Sequence, residues 1–266
     1  MNKKTYWHLM NWREIRDVAK TNPTILIPAG TTETQGPSTY VGFEFVMPER
    51  LAEEVAKCTN ALVAPTIPFG YSPDFEDFSG TITLRPQTLE WLYEDVINSV
   101  IRAGFDHILF LATHMPNLPM LEQVAYRVRE MSGIMIAWIN PGSLASHFLK
   151  NVSPNFEAAR NHGADPALSV GKYLEPEAID LSHVIPNKGK REFGGMAFSG
   201  GPTLNFDGFP MYMPIKLQDV SKDTGGFGDT SYASEDQGKK IFGDMVKYVI
   251  AVVEQFSKIQ TRIKGN

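Results

Sequence analysis

Residues 24–44, TILIPAGTTETQGPSTYVGFE, decide the reading of the fold. Thr24 to Pro28 is β-branched and apolar, too short for a helix, and closed by Gly30, so it reads as an interior strand ending in a turn. Past that turn come two carboxylates, Glu33 and Glu44, which this reading sets on a loop at the C-terminal end of the strand. In open α/β sheets that end is where ligands bind, in the crevice outside the strand ends.

Further apolar runs at 61–64, 107–112 and 133–139 alternate with longer amphipathic stretches. That is the pattern of βα units around a mainly parallel sheet, an α/β fold. Helix ends are also marked. Asn11 is placed to cap WREIRDVAK, Pro48 suits the first turn of PERLAEEVAKC, and Gly104 closes LEWLYEDVINSVIRA. Ser234 and Gln237 form an S-x-x-Q capping box ahead of KKIFGDMVKYVIAVVEQF. Two segments resist the pattern: 65–87 and 176–232 are rich in Pro, Gly and aromatics and read as long ordered loops, with room for short strands, in functional or interface roles.

The chain of 266 residues has no linker or charge block, so it reads as one domain spanning 1–266. A formal charge of −5 argues against nucleic acid or an anionic membrane as partner, since each calls for a clustered basic face. The one short basic run, Lys188, Lys190 and Arg191, reads as a solvated loop. A single cysteine, Cys58, excludes an internal disulfide and cysteine-cluster metal sites, and is expected to pack inside its helix. The N-terminal stretch has no signal-peptide core and no segment approaches a membrane span, so a soluble, cytoplasmic protein is expected.

His114 follows HILFLA after one residue, so it too is expected at the C-terminal edge of the sheet, level with Glu33. A lone histidine is more often a hydrogen-bonded structural residue. With Glu33 and Glu44 it makes a three-residue set that leaves positions open for water and substrate, as catalytic zinc sites do; manganese and iron accept the same donors. In ARNHGADPALSVGKYLEP, Asp165 stands directly before Pro166 and reads first as a helix N-cap, and Asn117 has the same structural reading. His162 has no capping role and suits proton transfer. The glycines of GGFGD at 225–229 lack the strand and lysine of a phosphate loop and read as a tight turn. Asp74, Glu76 and Asp77 read as solvent-facing or intersubunit acids, with a substrate-lid role as the functional alternative. No G-x-S-x-G elbow or H-E-x-x-H helix is present.

Taken in order, these motifs resemble those of the creatininase family over nearly the whole chain. GTTETQGPSTYVGFE is similar to the family's G-[ST]-x-E-Q-H-G-P-H-L-P-x-G-x-D, PFGYSPDFEDFSGT to P-x-x-Y-G-x-S-x-x-x-x-x-F-P-G-T, and FDHILFLATHMPN to a strand ending in N-G-H-G-G-N. NHGADPALS resembles H-A-G-E-x-E-T-S, and GFGDTSYASEDQGKK resembles G-x-x-G-D-P-x-x-A-S-x-x-K-G. The resemblance implies a three-layer α/β/α sandwich, a homo-oligomer (usually a hexamer), and metal-dependent hydrolysis of amides in small, often cyclic molecules. Exposed-looking aromatics without periodicity, Phe75, Phe78, Phe193 and Phe198, agree with an oligomer.

The departures carry as much information. Glu33 and His114 match ligands of one metal, and Glu44 stands at the family's bridging aspartate. The second metal's histidine is Gln35 here, and the acid two residues past the matched histidine is Pro116. One divalent metal per chain, zinc or manganese with iron as the alternative, is therefore expected. His162 matches a histidine of proton transfer, Asp165 falls at the first acid of its motif, and Ala167 replaces the next acid. Gln35, Tyr71 and Asn117 are assigned to substrate. The expected reaction opens or cleaves a small polar cyclic amide or related C–N bond by metal-activated water; the alternatives are a hydrolase or lyase of a cyclic polyol-derived ketone, and a metal-free pseudoenzyme or ligand-binding protein.

Overall fold

The computed structural model describes residues 4–182, 192–222 and 224–263. The basic run at 188–191 lies outside them. Four parallel strands, β1 (Thr24–Ala29), β2 (Leu62–Val63), β3 (His107–Ala112) and β4 (Ala137–Ile139), form a sheet in the order β2-β1-β3-β4. The first and third pair in register from Thr24 opposite His107 to Ala29 opposite Ala112. Both therefore end at the same edge, which brings the chain after Ala29 level with the chain after Ala112.

Helices cover both faces. They are α1 (Trp12–Thr21), α2 (Phe43–Thr59), α3 (Pro86–Arg102), α4 (Leu118–Ser132), α5 (Pro141–Val152), α6 (Phe156–Ala159), α7 (Ala167–Leu174), α8 (Leu217–Ser221) and α9 (Glu235–Phe256). The strands β1 and β3 are apolar throughout, yet their side chains still sort by the two-residue period of a strand. Ile25, Ile27, Ile108 and Phe110 enter one core with residues of α1, α3 and α4. Leu26, Leu109 and Leu111 enter a second core with residues of α2, α5, α7 and α9. The result is a three-layer α/β/α sandwich. No described helix is long and apolar enough to cross a membrane.

Local signals meet tertiary packing with mixed results. Asn11 caps α1 through a complete capping box with Glu14. Ser234 caps α9 by accepting from the Gln237 N–H, but its own N–H donates to Ser169 Oγ at 3.0 Å, so the reciprocal half of the expected box is absent. Pro48 lies inside α2, not in its first turn, because the helix begins five residues earlier at Phe43. Buried Phe43 and Met47 draw that extra turn onto the core, overriding the reluctance of a pre-proline residue to be helical. Cys58 is exposed, on the outer side of the same helix.

Segment 176–232 is less loop-like than its composition implies. It holds an antiparallel sheet of β5 (Glu192–Phe193), β6 (Met196–Gly200), β7 (Thr203–Phe206) and β8 (Phe209–Tyr212) in sequential order. Phe198, Leu204 and Ile215 make a small core of its own, with Phe193 packed against it. Lys216 ties this unit to the 65–87 loop by ion pairs to Glu76 at 2.7 Å and Asp77 at 3.2 Å, so two of the three loop acids have an intramolecular partner. Phe75 and Phe78 are half-buried against the same chain, and with Phe193 and Phe198 they have no need of a partner subunit. In this antiparallel unit the exposed aromatics are instead Phe206, Phe209 and Tyr212.

Gly30 fixes how closely β1 delivers its loop to α2. A Cβ there would stand 2.0 Å from the Glu44 carbonyl oxygen, well inside contact distance. Gly30→Ala should therefore destabilise the protein by about 1–3 kcal/mol, the usual cost of overpacking, and weaken metal binding by displacing Glu44. Denaturant midpoints and metal titration of the same variant measure both; an unchanged midpoint would mean that α2 shifts freely.

Candidate metal centre

Three donors from three segments converge at the C-terminal edge of the sheet. Glu33 lies four residues past β1, His114 two past β3, and Glu44 in the first turn of α2 rather than on a loop. His114 Nδ1 is 2.8 Å from Glu44 Oε2 and 3.3 Å from Glu33 Oε2. The three ligand atoms all lie within 4.8 Å of one another. Glu33 and His114 are buried, while Glu44 is partly open to the cleft described below.

The ring of His114 is oriented from behind. Nε2 lies 3.0 Å from the Tyr71 carbonyl oxygen and 3.2 Å from Ser72 Oγ. A carbonyl only accepts, so Nε2 carries the hydrogen and Nδ1 turns toward the two carboxylates. A neutral Nδ1 would aim its lone pair at carboxylate oxygens; a proton or a cation between them removes the conflict. Burial alone would lower the basicity of His114, but Glu33 and Glu44 outweigh it and hold the pKa up at about 9. Burial likewise pushes Glu33 up to about 8, with His114 opposing and Glu44 adding to the rise. Glu33 Oε2 makes no hydrogen bond, an orphaned buried acceptor pointed into the triangle. The donor set fits a divalent cation: one imidazole nitrogen backed by a carbonyl and two carboxylate oxygens.

Gln35 is buried and donates from Nε2 to Glu33 Oε1 at 3.1 Å. Pro116 sits in a short turn, Met115–Asn117, and offers no donor. Asn117 does not cap α4 with its side chain. It accepts from the Tyr71 N–H at 2.9 Å and donates to the Gly30 carbonyl at 3.0 Å, clamping the 70s loop to the end of β1. Tyr71 packs its side chain against the first core and turns its backbone carbonyl to His114.

A cleft of about 530 Å³ opens over this edge, lined by Gln35, Glu44, His162 and Asp165 together with residues of α5 and α6. His162 donates from Nε2 to the Thr34 carbonyl at 2.8 Å and stacks on Phe75 with centroids 4.4 Å apart. Its burial lowers the pKa to about 4, which leaves the ring neutral with Nδ1 as its basic nitrogen. Asp165 stands one residue outside the cap position of α7. Its Oδ1 nonetheless accepts from the Ser169 N–H at 2.9 Å, and Oδ2 has no partner. Burial raises its pKa. The glycine cluster makes the turn beside them, with the Phe227 N–H donating to the His162 carbonyl at 2.6 Å.

Two residues of this edge escaped sequence reasoning. Ser72 is fully buried and bridges Thr31 and His114, a link invisible along the chain. Asn140 braces the end of β3 by donating to the Ala112 carbonyl at 2.8 Å, and it caps α5 through the Ser143 N–H at 2.6 Å. Its place between an apolar run and Pro141 was a readable N-cap signal.

A family model described as creatininase, creatinine amidohydrolase, matches residues 8–253. The 3-dehydro-scyllo-inosose hydrolase of Thermotoga maritima is 31% identical over 110 residues, covering 41% of this chain and 35% of the relative. The creatinine amidohydrolase of Pseudomonas putida is 25% identical over 138 residues, covering 49% of this chain and 53% of the relative. The chain thus spans between a third and about half the length of these two relatives. A solved structure described as "Creatininase Mn" superposes with a TM-score of 0.79 at 18% identity, over 97% of this chain and 100% of that one. At that identity the likeness shows the fold.

Proposed function

Because the chain belongs to the creatininase family, a family of metal-dependent amidohydrolases, we propose that it is a mononuclear hydrolase that opens or cleaves a small polar amide. The observation that carries this reading is the convergence of His114 Nδ1, Glu33 Oε2 and Glu44 Oε2 beside a cleft, with Glu33 Oε2 orphaned. Glu33, Glu44 and His114 would hold the ion. When bound, a divalent metal supplies Lewis acidity, polarising a carbonyl and making water a better nucleophile. Gln35 and Pro116 offer a second ion only a neutral amide and no donor, which supports one metal per chain.

The remaining chemistry belongs to the protein. Tyr71 and Ser72 hold the His114 tautomer, and Gln35 orients Glu33 through Oε1. The neutral His162, fixed at Nε2 by Thr34, takes a proton on Nδ1 and returns it to the departing nitrogen. Once protonated it is a strong donor, because burial disfavours its charged form. Asp165 Oδ2 faces substrate as acceptor or proton store, and Phe75 packs over His162 to limit water.

The relative from Thermotoga favours a second reading, in which the substrate is a cyclic polyol-derived ketone. A panel of lactams, formamides and cyclic diketones, run with zinc- and manganese-loaded protein, separates the two. Elemental analysis should find about one divalent metal per chain. Two per chain would make Gln35 a ligand, and none after metal supplementation would favour a metal-free binding protein. Exposed Phe206 on β7 and Phe209 and Tyr212 on β8 support a homo-oligomer, for which family resemblance suggests six copies. A stable monomer by sedimentation at micromolar concentration would sink that expectation.

A further inference from the structure

The cleft is charged differently at its two ends. Among its lining residues Asp165 is buried and Glu44 half-buried, whereas Lys150 near the end of α5 and Arg160 just after α6 are exposed, so the carboxyl groups lie on the floor and the cations at the mouth. In a chain of net charge −5 this is no background effect. Ser143, Ser146, His147 and Lys150 all line the cleft at spacings of three or four, so α5 turns a mainly polar face to it while Leu149 enters the core.

The two cations share one platform. Lys150 Nζ lies 5.3 Å from the centroid of the Phe156 ring and the Arg160 guanidinium lies 5.2 Å from it. Arg160 also pairs with exposed Glu157 at 3.1 Å, but Lys150 has no ion pair among the described residues. Two like charges held on one ring, with a carboxylate partner on Arg160 alone, leave a surplus positive charge at the cleft.

We infer that the mouth of this cleft binds an anionic group, a carboxylate or phosphate, carried by the substrate, with Lys150 and Arg160 as its partners. The inference rests on the hydrolase reading of the same cleft and adds the substrate class: a small amide with an anionic tail. The polarity also sets the direction of binding. A divalent ion held by Glu33 and Glu44 offsets their charge, so the direction of binding is set at the mouth, where Lys150 and Arg160 attract the tail and leave the neutral amide as the end presented to the metal centre.

The test uses the zinc-loaded full chain and matched probes: pyroglutamate against pyroglutamide, N-formylglycine against N-formylglycinamide, and N-formylethanolamine phosphate against N-formylethanolamine. Affinities come from calorimetry, or from KM where a probe is turned over. The anionic member of a pair should bind about 10-fold tighter at low salt, with the gap narrowing as salt screens these exposed charges. The double variant Lys150→Gln/Arg160→Gln should abolish the gap and keep its metal, while Lys150→Arg should preserve it. The pair with the larger gap distinguishes a carboxylate from a phosphate tail. Equal binding within every pair, no binding by any anionic probe, or a gap that survives the double variant would overturn the inference. An anion preference without hydrolysis of any panel amide would count against the hydrolase reading alone.

Discussion

His114→Ala and Glu33→Ala should each empty the metal site and abolish turnover, while Gln35→Ala keeps its metal. His114 supplies the one nitrogen donor, and its removal leaves Glu33 and Glu44 facing each other without the cation or imidazolium between them. Losing an outer partner of a metal ligand costs about 10–100-fold in affinity; losing a ligand from a set of three should cost more. Gln35 is only such an outer partner, through its 3.1 Å hydrogen bond to Glu33 Oε1. Its alanine variant should lose about 10-fold in affinity, remain loaded at micromolar concentration, and show its defect in substrate handling. Metal content after dialysis, with far-UV dichroism to confirm folding and Glu33→Gln as an isosteric second variant, decides the matter. If Gln35→Ala empties as completely as His114→Ala, Gln35 is itself a ligand.

His162→Asn should keep its metal and lower turnover by about 10²–10⁴, the usual worth of a positioned acid or base. The side chain is tethered to Thr34 rather than to any of the three ligands, and asparagine retains a donor for that carbonyl. Because burial places its pKa at about 4, the ring is neutral above that pH and charged below it. At metal saturation, wild-type kcat/KM should hold above this value and fall as pH drops through it, and the variant should lack that dependence. Loss of metal in proportion to loss of activity would make His162 a fourth ligand.

The parallel sheet was legible because its evidence is local. Short apolar runs closed by turn residues mark 24–29 and 107–112 within a residue, and two strands that run parallel must deliver their following loops to one edge. That is why Glu33 and His114 were found together from sequence. The N-cap at Asn11 was equally visible, since a cap and its partner lie three residues apart. The antiparallel unit at 192–212 was much less so: its strands are two to five residues long, joined by glycine-rich turns, and bury only a few side chains.

What the chain alone determined is therefore the parallel sheet with its main helices, and the three residues proposed as donors, all carried by neighbours a few residues apart. Tertiary structure decided how those donors are used. It wound Glu44 into the first turn of α2, because burying Phe43 and Met47 outweighed the signal of Pro48. It assigned Asn117 to a clamp between Tyr71 and Gly30 in place of a cap, and gave His114 its tautomer through the Tyr71 carbonyl. It also gathered Lys150 and Arg160 over one phenyl ring at the mouth of the same cleft. Each of these depends on a distance between atoms far apart along the chain, and local propensity carries no record of such a distance until the core has packed.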